Sequence, residues 1–96
     1  MVTEIAVLTI NVGQEELFEA AFPSAAAVLG SADGYLSHEL HRSIETPNRF
    51  TLLVRWESVE HHTKGFRETP RFAEWRGHIG AFFASAPQME HAIRVV

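Results

Sequence analysis

The stretch Tyr35-Leu36-Ser37-His38-Glu39-Leu40-His41-Arg42-Ser43-Ile44, then Glu45-Thr46-Pro47-Asn48, then Arg49-Phe50-Thr51-Leu52-Leu53-Val54-Arg55-Trp56 decides the fold. Its first part alternates in the two-residue period of a strand, the middle carries turn chemistry, and the last part is a second extended run rich in large apolar residues. Together they predict a β-hairpin. If Ile44 faces Arg49 across a four-residue turn, His38 shares a face with Leu53 and Arg55, and His41 shares one with Phe50, Leu52 and Val54. A one-residue bulge reverses that assignment, and both alternatives stand at the level of sequence.

Working outward, Thr3–Ile10 is β-branched and apolar, with Glu4 and Thr9 breaking the run, and predicts a first strand. Asn11-Val12-Gly13 ends it, and Glu15 and Glu16 suit the positive end of a helix. Phe18, Phe22, Ala25 and Leu29 give that helix an apolar stripe, which Pro23 is expected to kink or split. Downstream, Ser58 is placed to cap a short helix reaching about Arg67. Thr69 then Pro70 predicts a capped second helix through Phe72, Trp75, Ile79 and Phe83, and Met89–Val96 reads as a last strand. The order is strand, helix, strand, strand, helix pair, strand. In 96 residues this predicts one domain, 1–96, with an α+β ferredoxin-like βαββαβ fold, an antiparallel sheet with helices on one face. On the first strand both faces are apolar, Ile5 and Val7 on one, Ala6, Leu8 and Ile10 on the other. Helices cover one face only, so a second copy of the chain is expected on the other, in a homodimer joined through sheet faces. That expectation is framed with Ala6, Leu8, Ile10 and Leu53 on the uncovered face.

Composition narrows the chemistry. Eight Lys and Arg against twelve Asp and Glu, a formal charge of −4, offer no basic field for nucleic acid. The chain has no Cys, hence no disulfide, thiolate nucleophile or Cys-based metal site. The N-terminal run lacks the pattern of a signal peptide and no apolar stretch reaches membrane-spanning length, so a cytoplasmic protein with no membrane contact is expected. Nucleotide-binding glycine loops and a Gly-x-Ser-x-Gly elbow are missing from the sequence.

The segments Gly34–Leu40, Pro47–Phe50 and Leu53–Ser58, then Glu60–Arg76 with His62-Thr63-Lys64-Gly65-Phe66-Arg67 inside it, and Met89-Glu90-His91, resemble the antibiotic-biosynthesis monooxygenase domain family over nearly the whole chain. The resemblance implies the dimeric α/β-barrel assembly of that superfamily. It also implies one of several activities, among them cofactor-independent oxygenation and heme degradation. The sequence departs from the heme-degrading branch. Asn11 comes only at the exit of the first strand, Gly65 falls where a Trp is expected, and His78 is displaced from the ligand position.

Six histidines are the conspicuous surplus of reactive side chains. His61 and His62 are adjacent and point about 100° apart on a helix, so they cannot grip one metal; His62 shares a face with Val59 and Phe66 and is expected inward. His38 and His41 alternate to opposite faces, and His91 shares parity with Met89. No His-x-x-x-His pair is present, and no metal site is expected. Trp56 and Trp75 suit either core anchors or the wall of a flat cavity. Among Arg55, Arg67 and Arg76, one reaching inward would stabilise an oxyanion.

The leading expectation is a cofactor-independent oxygenase with molecular oxygen as co-substrate, acting on a small aromatic, quinol or enolisable compound. In it His62 or His91 is the base, Arg67 the oxyanion partner, and Trp75, Trp56, Phe66 and His38 line the substrate site. The alternatives are a non-catalytic module that binds a small hydrophobic or aromatic ligand, and a heme-binding or heme-degrading protein.

Overall fold

The computed structural model describes residues 1–96. Four strands, β1 (Val2–Thr9), β2 (Tyr35–Arg42), β3 (Arg49–Trp56) and β4 (Gln88–Ala92), form one antiparallel sheet in the order β2-β3-β1-β4. Between β1 and β2 runs α1 (Glu15–Gly30); between β3 and β4 lie α2 (Val59–His62), a π-helical turn (Thr63–Arg67), α3 (Pro70–Ile79) and a 3-10 turn (Gly80–Phe82). This is the ferredoxin-like α+β arrangement read from the sequence. No helix is long and apolar enough to cross a membrane.

The core lies between the sheet and the helices. Ala6, Leu8, Ile10, Phe50, Leu52, Val54 and Trp56 face Phe18, Phe22, Ala25 and Leu29 of α1, with Trp75 and Ile79 of α3 closing the far side. Phe18 meets Phe22 and Phe50 edge to face, with ring centroids 5.9 and 4.8 Å apart. Pro23 neither ends nor splits α1, because it lies on the exposed face, where the carbonyl it leaves without a partner is open to water while Phe22 and Ala25 hold both flanks to the sheet.

Register corrects the faces expected of β1 and decides the alternative left open in the hairpin. Ile5 pairs with Leu53, so the uncovered face carries Ile5, Val7 and Leu53, while Ala6, Leu8 and Ile10 belong to the core. The hairpin connection is five residues, Ile44–Asn48, closed by Ser43 N–H donating to the Arg49 carbonyl at 2.9 Å. This odd-length loop sets His38 opposite Val54 and His41 opposite Thr51, the reverse of the assignment that a four-residue turn would give. The last strand stops at Ala92, and residues 93–96 are exposed. Two ends also move. α3 finishes at Ile79 and tightens into the 3-10 turn before Phe83. The Thr69 hydroxyl donates back to the Phe66 carbonyl at 2.7 Å and does not cap α3.

Candidate active site

The site is built on β1. Glu4 shares parity with Ala6 and Leu8, so its carboxyl enters the core side of the sheet, between Val54 of β3 and His91 of β4, and is 7% exposed. Trp56 Nε1–H donates to Glu4 Oε1 at 3.0 Å. Next to it α2 delivers His62. Ser58 starts this helix by accepting the His61 N–H at 3.3 Å, and Gly34 (φ +82°) passes so close to the His61 ring that a Cβ there would overlap it. With His61 held outward, His62 turns in, stacks on Trp56 with centroids 5.3 Å apart and 20° between planes, and is 3% exposed.

The two nitrogens of His62 serve different partners. Nε2 lies 3.3 Å from Glu4 Oε1, and Nδ1 lies 2.8 Å from His91 Nε2. His62 and His91 are thus hydrogen-bonded, and the same imidazole sets its other nitrogen against the Glu4 carboxyl. Burial raises the Glu4 pKa to about 7, against the opposing pull of the Trp56 N–H and the Arg67 charge. Burial, then His91 and Arg67, lowers that of His62 to about 4. Near neutrality His62 is therefore uncharged, so its 3.3 Å approach to Glu4 is a close polar contact and not an ion pair. The His62–His91 bond suits either sense: Nδ1 accepts from His91 Nε2–H, or Nδ1–H donates to His91 Nε2.

Glu4 also lines a cavity of about 350 Å3. Ala6, Leu8 and Met89 complete its sheet side, and Ala86 and Pro87 its end. Arg67, Phe72, Trp75 and Arg76 form the helix side. Phe72 and Trp75 stack with centroids 5.9 Å apart and 24° between planes, making an aromatic wall. The Trp75 Nε1–H is buried and has no acceptor in the protein. The π-helical turn matters here, since widening the helix after His62 carries Phe66 into the core and brings Arg67 to the cavity.

Of the residues singled out in the sequence, the structure brings His62, His91 and Arg67 together around Glu4, and sets Trp75 on the cavity wall. Trp56 and Phe66 are buried behind that wall, where Trp56 holds both Glu4 and His62. His38 is not part of this group: it lies on edge strand β2, at the far edge of the sheet from β4, bonded to the Tyr35 hydroxyl at 2.5 Å. Arg55 is on the uncovered face, paired with Glu39 at 3.1 Å, and His78 is exposed on α3, outside the cavity lining. Glu4 itself went unrecognised. Its signal was a carboxylate in the same strand parity as Ala6, Leu8 and Ile10, where an acid needs partners to be tolerated.

Residues 1–78 match the family model described as antibiotic biosynthesis monooxygenase. The uncharacterized protein YczJ of Bacillus subtilis (strain 168) is 40% identical over 91 residues, covering 95% of this chain and 96% of that protein. A crystal structure from Bordetella bronchiseptica, described in the same terms as the family, is 41% identical with a TM-score of 0.96, covering 99% of this chain and 97% of that one. SnoaB from Streptomyces nogalater, described as a cofactor-independent oxygenase and solved as a single-site mutant, shares the fold. Its TM-score is 0.82 at 19% identity, over 99% of this chain and 93% of SnoaB.

Proposed function

Because this chain belongs to the antibiotic biosynthesis monooxygenase family, we propose that it oxygenates a small hydroxyarene, quinol or enolisable substrate with molecular oxygen and without a cofactor, using Glu4 as its base. The observation that carries the reading is the buried Glu4 carboxyl on the lining of an aromatic-walled cavity, with the His62–His91 pair packed behind it. A carboxyl poised near pH 7 is matched to removing a weakly acidic C–H or O–H proton. His62, bonded to His91 and packed against Glu4, is the positioning residue for the carboxyl. Arg67 faces the oxyanion that forms.

For a CH2 group activated by a hydroxyarene, the carbanion adds dioxygen and the peroxide anion recovers a proton. Loss of water then leaves a carbonyl, with one oxygen atom in the product and the other in water. The description of SnoaB as cofactor-independent supports this chemistry at the level of the fold. Oxygen uptake with a panel of anthrones and dihydroxynaphthalenes tests the reading: protein-dependent uptake that Glu4→Gln abolishes is expected, and no uptake above buffer across the panel refutes it.

The same reading includes a homodimer and a cytoplasmic setting. What supports the dimer is the half-buried apolar trio Ile5, Val7 and Leu53 on the face that the helices leave uncovered.

A further inference from the structure

Two guanidinium groups on the helix side of the cavity lack an anionic partner. Arg67 lies over the Phe72 ring at 5.9 Å and Arg76 over the Phe83 ring at 5.2 Å, and neither makes an ion pair or a hydrogen bond within the protein. Stacking of this kind fixes the plane of a guanidinium and leaves its edge donors free. Trp75, whose ring helps wall the same cavity, is otherwise buried. The one acid on the lining, Glu4, lies on the sheet side, accepts from Trp56 and makes no ion pair with either arginine. In a chain of formal charge −4 the helix side of this cavity is therefore a local concentration of unneutralised positive charge beside an aromatic wall.

We propose that the cavity takes a flat aromatic anion, an aryl carboxylate, with its carboxylate at Arg76 and its ring against Phe72 and Trp75. A guanidinium that can meet a carboxylate in a planar fork and an aromatic-walled cavity of about 350 Å3 answer the parts of one such ligand. The reacting end of the ring then points toward Glu4 and Arg67, away from Arg76. This rests on the cavity being the substrate site, as proposed above, but not on the oxygen chemistry, so the two are tested apart.

The probes are 2-naphthoate and 2-naphthamide, alike in shape and different in charge, titrated by calorimetry without any reaction. The anion is expected to bind about tenfold tighter or more, with an affinity that falls as salt is raised. Arg76→Gln, a change at an exposed position, is expected to bring the two dissociation constants to within about twofold. The chain has two tryptophans, so the indole N–H region of a 15N correlation spectrum separates the ring on the cavity wall from the one in the core. Saturation with naphthoate is expected to shift the Trp75 resonance through the ring current of the stacked ligand, and the Trp56 resonance less. Equal affinities for anion and amide, no saturable binding of the anion, or an unmoved Trp75 resonance would each overturn the proposal. Oxygen uptake without this preference would leave the oxygenase reading standing alone, and the preference without uptake would leave a binding site for aromatic acids.

Discussion

At the scale of residues, Glu4 and His62 have pKa values displaced in opposite directions by the same burial, and their effects on stability oppose each other. Glu4 is raised, so the folded state holds a proton that the unfolded chain has lost, and this contribution to stability declines as pH rises from about 4.5 to about 7. His62 is lowered, so the unfolded chain takes up a proton that the folded state refuses. Its contribution is lost as pH falls from about 6.5 to about 4. Over the shared window the two slopes largely cancel. Glu4→Gln removes one of them, and the variant is expected to gain stability from pH 4.5 to 6.5, by on the order of 3 kcal/mol at most, where the wild type stays nearly level. Urea titrations across that range check it. In turnover, Glu4→Gln is expected to lower kcat by about a hundredfold or more with a small change in KM, since general-base catalysis contributes factors of this size. The wild-type rate should rise through pH ~7 as Glu4 ionises.

Among the elements, the entry to α2 controls the site. Gly34 combines a left-handed backbone with a contact that leaves no room for a Cβ against His61, and that contact keeps His61 outward and His62 inward. Gly34→Ala is expected to destabilise the fold by roughly 2–4 kcal/mol, from the backbone conformation and the clash together. It should also lower activity more than residual folding explains, by tilting His62 off Glu4. In a His61→Gly background the clash is gone and only the backbone part, about 1 kcal/mol, should remain. Denaturant midpoints of the three variants separate the two contributions. The short-helix start at Ser58 was legible because a hydroxyl N-cap is a local device. The π-helical turn after it was not, because local sequence preferences do not announce a widened turn and packing of Phe66 against Trp56 and Trp75 selects it.

For the whole molecule, the two faces of the sheet make separate predictions. Leu8 is fully buried under the helices and lines the cavity, so Leu8→Lys is expected to unfold the chain by placing a charge in the core. Leu53 and Val7 lie on the uncovered face, half-buried and beside the Arg55–Glu39 pair. There Leu53→Lys should leave circular dichroism intact while sedimentation changes from dimer to monomer. A wild type that sediments as a monomer at micromolar concentration would remove the interface from the reading. A Leu53→Lys chain that loses its fold as a dissociated monomer would show that folding and pairing are inseparable.

What the sequence determined by itself was whatever depends on short-range pattern. The hairpin followed from alternation around Glu45–Asn48, the apolar stripe of α1 from Phe18 to Leu29, the inward turn of His62 from its spacing to Val59 and Phe66, and the family from motifs along the chain. What only the tertiary structure decided depends on register. One extra residue in the Ile44–Asn48 connection reversed His38 and His41, and the pairing of Ile5 with Leu53 exchanged the two faces expected of β1. The grouping of Glu4, His62 and His91 joins three elements far apart in sequence, so no local spacing could announce it. Side-chain parity in a strand is a choice between two faces that local propensity leaves nearly balanced when both are apolar. The choice is made by which face the helices can cover, and that is a property of the packed molecule.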